Sequence, residues 1–208
     1  DLTITNASSN PQLALIAAAD GMCELQFGDA NDATRGNIIY RAGSAGDALC
    51  FNGYNNTERM RLDSSGRLLV GQTASYNVFG NSTLQVSSTD SEAAASITRW
   101  SANAYGPYLN FGKSRGASAG TYTVIQDDDV LGTINFAAAD GTDLESTASK
   151  ITCEIDGTPG SNDVPGRLAF WTTADGGYQP SERMRIDAAG SVRIGNTNQA
   201  QYTAADDL

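Results

Sequence analysis

"TERMRLDSSGRLLVGQT" at residues 57–73 and "SERMRIDAAGSVRIGNT" at residues 181–197 are two copies of one segment. Eight of their 17 positions are identical: Glu, Arg, Met, Arg, Asp, Gly, Gly and Thr. Most other changes are mild, Leu62 to Ile186 and Val70 to Ile194 among them. In the first copy Met60 and Leu62 alternate with Arg59, Arg61 and Asp63, the period-two pattern of a half-buried strand. "DSSG" at 63–66 then predicts a turn: the Asp63 carboxylate accepts from nearby backbone amides, and Gly66 takes positive φ cheaply. Leu68 and Val70 return along the same face. The second copy places Met184, Ile186, Val192 and Ile194 equivalently, while Leu69 becomes Arg193, which fits an outward position. Each copy is therefore expected to be a β-hairpin with one narrow apolar face.

Such a hairpin is marginal by itself in water. Burying its few apolar side chains does not offset the entropy of fixing its backbone. It must dock onto a surface supplied either by the rest of the chain or by identical chains.

The repetition extends upstream. "LTI" at 2–4 matches "LQV" at 84–86, "LQFG" at 25–28 matches "LNFG" at 109–112, and "ALCF" at 48–51 matches "RLAF" at 167–170. The order is kept, so the sequence reads as two related β modules, 1–80 and 81–208, joined near "NVFGNS" at 77–82. The second carries extra strands inserted at about 121–166. Strands are expected at 2–5, 12–17, 23–28, 37–41, 48–52, 58–63 and 67–70 in the first module. The second is expected to have them at 83–87, 94–99, 107–112, 121–126, 130–138, 149–156, 167–172, 182–187 and 191–194. "TDSEAAASI" at 89–97 has Thr89 and Glu92 at capping-box spacing, but its partner "NPQLALIA" alternates, which favours a strand. Asp-Gly after Ala, at 19–21, 139–141 and 174–176, marks further turns.

Composition agrees with an all-β chain of short strands. The 208 residues contain 22 Gly, and only 40% are hydrophobic. The net charge of −11 repels nucleic acids and anionic membranes, so neither partner is expected. No apolar run is long enough to span a bilayer. Neither a signal peptide nor an initiator Met is seen, so the chain is expected to be a piece of something longer. The three cysteines form no metal or disulfide pattern, and Ala169 stands where the first module has Cys50. There is no His, which removes the His-based catalytic triads and dyads and the commonest zinc sites. "DDD" at 127–129 with "DGTDLE" at 140–145 lacks the alternating oxygens of a calcium loop. No metal and no cofactor are expected.

"PGRLAFWTTADGGYQPSERMRIDAAGSVRIGNT", ending at Thr197, closely resembles the repeat of bacteriophage tail fibres. "DVLGTINFAAADGTDL" and "ITCEIDGTPGSNDVPG" are similar to the same family. The likeness covers most of 121–197 and, in the first module, chiefly 47–73. It implies an elongated homotrimeric fibre, a β-prism or triple β-helix-like shaft. The hairpin residues Met60, Leu62, Leu68, Val70, Met184, Ile186, Val192 and Ile194 would fill its interchain core. It also implies a virion component outside the cell, partnered by other tail proteins.

The function expected from this is structural and adhesive: a fibre segment, shaft or shaft-proximal, that attaches to a host cell without catalysis. The receptor would be a bacterial surface glycan or protein, and repeated weak contacts would gain avidity. Trp100, Tyr105, Tyr108, Trp171 and Tyr178 are the candidate contacts, with Tyr105 and Tyr178 placed beside Gly in turn-like stretches. Core packing is the plainer role for the same aromatics. Two alternatives stand beside this reading. One is a purely architectural virion protein. The other is a tailspike that cuts polysaccharide with two carboxylates, although no carboxylate stands out from turn and strand-face roles.

Overall fold

The computed structural model describes residues 13–19, 21–33, 35–43, 46–80, 82–89 and 93–195. The expected strand at 2–5 and the Glu92 half of the capping box lie outside them. Among the described residues the regular structure is all β, apart from 3-10 geometry at Gly43 and in a turn at Tyr54–Asn56. The chain divides into two compact units. One is built on the first six strands; the other is built on the remaining five, with Asn77–Gly80 joined to it.

The first unit holds β1 (Met22–Phe27), β2 (Gly36–Arg41), β3 (Ala48–Asn52), β4 (Glu58–Asp63), β5 (Leu68–Val70) and β6 (Leu84–Val86). They form one sheet in chain order, antiparallel throughout except for the parallel pair β5–β6. The second unit holds β7 (Val130–Ala138), β8 (Ser146–Ile155), β9 (Gly166–Thr172), β10 (Ser181–Ile186) and β11 (Val192–Ile194), an antiparallel meander also in chain order.

The two meanders repeat each other residue by residue. Leu25 faces Ile38, which faces Phe51, Met60 and Val70 in turn. Ile134 faces Ile151, then Phe170, Met184 and Ile194. "LQF" at 25–27 is therefore the counterpart of "INF" at 134–136, and the match with "LNFG" at 109–112 is corrected. β7 and β8 take the places of β1 and β2, and β6 has no counterpart among the described residues of the second unit.

The two hairpins are alike in atomic detail. Asp63 Oδ1 accepts from the amides of Ser65 at 2.9 Å and Arg67 at 3.0 Å, and Asp187 Oδ1 accepts from Ala189 at 3.1 Å and Ser191 at 2.9 Å. Gly66 and Gly190 have φ of 75° and 82°, as the turn requires. A bulge interrupts each copy at the same place: the register shifts at Arg59 and at Arg183. The amides of Gly71 and Gly195 donate to the carbonyls of Arg59 and Arg183, at 2.9 and 2.8 Å. The extra residue turns Glu58 and Glu182 onto the face of Arg61 and Arg185, where each carboxylate takes two bonds from its guanidinium.

Four expected strands, at 12–17, 94–99, 107–112 and 121–126, have no ladder in their described residues. They alternate as strands do, but among the described residues no sheet neighbour pairs with them. Residues 93–129 run as irregular chain, locally pinned by Ser114, whose hydroxyl donates to the Thr121 carbonyl at 2.7 Å, and by Arg115, which pairs with Asp129 at 2.7 Å.

Candidate functional site

Within each unit the described strands form a single sheet and pack chiefly against their sheet neighbours, and its two faces differ. One face of the first sheet carries Glu24, Asn37, Arg41, Glu58, Arg61, Asp63 and Gln85 around Ile39, Cys50 and Leu69. The apolar members there are sealed, with Cys50 and Leu69 fully buried. Paired Arg and Glu side chains lie over them, with Arg41 3.9 Å and Arg61 about 2.5 Å from Glu58. Burial and the Glu58 carboxylate push the Cys50 thiol pKa up. In the second sheet Ala169 holds the place of Cys50, fully buried between Thr152 and Arg185. Trp171 lies on this face as well. Its indole Nε1 donates to Thr152 at 2.9 Å, and the Lys150 ammonium sits 4.7 Å over its ring. Burial works against the Arg167 cation, but Asp128, Glu154 and Asp156 outweigh it and raise its pKa.

The opposite face, among the described residues, is largely open. In the first sheet Leu25, Ile38, Phe51, Met60, Val70 and Val86 form one cross-strand row, and Cys23, Tyr40, Leu49, Leu62, Leu68 and Leu84 form the next. None of these is buried, and Leu62 is 45% exposed. In the second sheet one row is Ile134, Ile151, Phe170, Met184 and Ile194, and the next is Gly132, Cys153, Leu168, Ile186 and Val192. Phe111 covers Gly132, where an added Cβ would lie 2.8 Å from the ring's own Cβ. Ile194 stays 80% exposed. The eight hairpin residues named from the sequence thus share these faces, four in each sheet. Sequence reasoning missed that β1–β3 and β7–β9 continue the same faces. The alternation in "ALCF" and "RLAF" carried that signal.

Of the five aromatic candidates, Trp100, Tyr105 and Tyr108 lie in the strandless segment and are exposed, Trp100 almost wholly. Tyr178 is also almost wholly exposed, in the β9–β10 turn. Trp171 is half-buried and is held by Lys150 and Thr152. The structure does not gather the five into one patch.

A cleft lies at one end of the second unit's polar face, which the sequence did not point to. Its inner hollow of about 370 Å³ is lined by the sheet residues Asn135, Thr147 and Lys150 and by the loop residues Phe79, Gln179 and Pro180. An adjoining hollow of about 260 Å³ shares Phe79, Thr147 and Gln179 and adds Asp140, Asp143, Glu145 and Tyr178. Asp140 is tied to the Thr142 amide at 2.8 Å and the Ser146 hydroxyl at 2.9 Å, which hold its pKa below the usual carboxylate range. Phe79 sits at φ 51°, an uncommon conformation for an aromatic residue. Among the described residues no group of His, Cys, Asp and Glu is arranged to hold a metal ion.

With this geometry in hand, solved structures supply a match. The carboxy-terminal domain of the L-shaped tail fibre of bacteriophage T5 superposes with a TM-score of 0.73 at 13% identity, over 97% of this chain and 92% of that one. The fold is that of a phage tail fibre domain. The same T5 domain with its intramolecular chaperone domain gives 0.72 at 13% identity, over 97% of this chain and 64% of that longer one. No protein-family model and no curated protein sequence matches the chain.

Proposed function

We propose that this chain is a structural component of a phage tail fibre in the virion. It assembles as a homotrimer through its bare apolar faces and attaches to the host cell by non-covalent binding. The carrying observation is the single-layered sheet. Each unit armours one face with ion pairs and leaves the other, some ten side chains broad, largely uncovered by the described residues, with Phe111 over Gly132 in the second sheet. Elements with an apolar face are stable when that face packs against another layer. Half-exposed Leu, Ile, Phe and Met side chains each gain roughly 1 kcal/mol on full burial, so two such faces supply a large driving force for association. Three-fold closure brings equivalent faces together around one axis and satisfies all of them at once. The T5 fold supports this reading, as does the fibre-repeat likeness of residues 121–197.

The binding is that of a fibre rather than an enzyme: exposed aromatics such as Tyr178 offer contact area, and repetition over three chains gives avidity. Light scattering on the purified chain tests the assembly, with three chain masses expected and a compact monomer overturning it. Pull-down of host cells by the assembled protein tests attachment. A trimer that no cell retains would favour the purely architectural reading.

A further inference from the structure

We infer that the cleft at the end of the second unit is a saccharide subsite, taking a neutral, hydroxyl-rich ring of a glycan. The inference gives the attachment reading above a ligand class and a place. Three observations converge. First, Thr147, which lines both hollows, is 7% exposed, and its hydroxyl has no hydrogen-bond partner among the described residues. The carbonyl oxygen of Asn135, which lines the inner hollow, is likewise buried and unpartnered. Buried polar atoms are nearly always paired, so two orphans in one hollow call for a group that the chain does not supply. Second, the walls are mixed as a sugar ring requires. Phe79 and Tyr178 offer flat apolar surfaces to its C–H face, and Asn135 and Gln179 offer amides to its hydroxyls.

Third, the charges select against ions. An anion would meet Asp140, Asp143 and Glu145 in the outer hollow, and a cation would meet Lys150 in the inner one. A hydroxyl suits both, because it donates to a carboxylate and accepts from an ammonium. The inner hollow is within the ~300–1,000 Å³ range of small-molecule sites. Lys150 lines this hollow and also stacks on Trp171, so an occupant that reaches Lys150 changes the surroundings of that indole.

The test uses the full chain in its native assembly. Methyl glycosides of glucose, galactose, mannose and N-acetylglucosamine, and short linear oligomers of each, are titrated against it. Binding is read by ligand-observed NMR and by tryptophan emission. At least one series is expected to bind saturably. Tyr178→Ala, at an exposed position, is expected to weaken it about tenfold. Thr147→Val keeps the shape and removes the orphan hydroxyl. It is expected to weaken binding several-fold while leaving the melting temperature equal or higher. Absence of saturable binding overturns the inference, as does binding that either variant leaves at the wild-type level. A trimer that binds no sugar removes the cleft and keeps the assembly; a sugar-binding monomer does the reverse.

Discussion

The hairpins β4–β5 and β10–β11 share turn, bulge and ion pair, yet their outer strands meet different surroundings. β5 has β6 beside it, so Leu69 lies inside the sheet, paired with Gln85 and fully buried. Among the described residues β11 has no further strand beside it, and Arg193 at the equivalent place reaches back to Asp187 at 3.1 Å. One template therefore serves as an interior or an edge element according to a single residue. The rest of the template does not depend on that choice.

The comparison breaks most sharply on the bare faces. Phe51→Asp and Phe170→Asp, at equivalent positions, are each expected to abolish the trimer, because a carboxylate would be buried there without a partner. Mass by light scattering checks this, and survival of the trimer with either variant would remove that sheet's face from the interface. Next comes the residue that separates the copies. Leu69→Arg is expected to cost about 3 kcal/mol, since it places a charge in a sealed site. Arg193→Leu is expected to cost only about 1 kcal/mol, through loss of its bond to the Asp187 carboxylate. Chemical denaturation of both variants measures the difference.

Smaller effects sharpen the likeness. Asp63→Ala and Asp187→Ala each remove two backbone bonds and an Arg partner. Each is expected to cost about 1–3 kcal/mol, nearly equally in the two copies. The second turn has one further tie: Asp156 Oδ2 accepts from the Ala188 amide at 2.8 Å. That bond outweighs the effect of burial and, with Arg167, keeps the Asp156 pKa low. At Asp63 burial pushes the pKa up, but the bonds from Arg67 and Ser65 outweigh it, so it too is low. Depressed carboxylate pKa values give stability that is present above the unfolded value, about 4. That stability fades as pH falls through the folded values. Melting temperature should therefore hold through neutral pH and drop in acid, with a gentler drop for Asp156→Asn.

Much of the fold was legible because period two and turn chemistry are local. The strands at 58–63 and 67–70, 182–187 and 191–194 followed from Met60, Leu62, Gly66 and their copies, and β7 from "VLGTINFAA". What escaped was the consequence of the bulges. Simple alternation assigns Glu58 to the side of Met60, whereas the extra residue at Arg59 carries it across to Arg61. The segments at 94–99, 107–112 and 121–126 alternate equally well, so pattern alone cannot distinguish a strand with a neighbour from one without. The equivalence of β1 and β7 was hidden because Leu25-Gln26-Phe27 resembles two places, and only the pairing within each sheet decides between them. The cleft was invisible for a different reason. Phe79, Thr147 and Gln179 come from three separated stretches, and each is ordinary in its own.

The three free thiols follow the division between the faces. Cys50 lies beneath the ion pairs, while Cys23 and Cys153 stand half-buried among the apolar rows. An alkylating reagent should therefore spare Cys50 as long as the sheet persists. It should reach Cys23 and Cys153 only when chains separate. In the proposed trimer these thiols would serve as a chemical clock for dissociation, readable by mass spectrometry without any added label site.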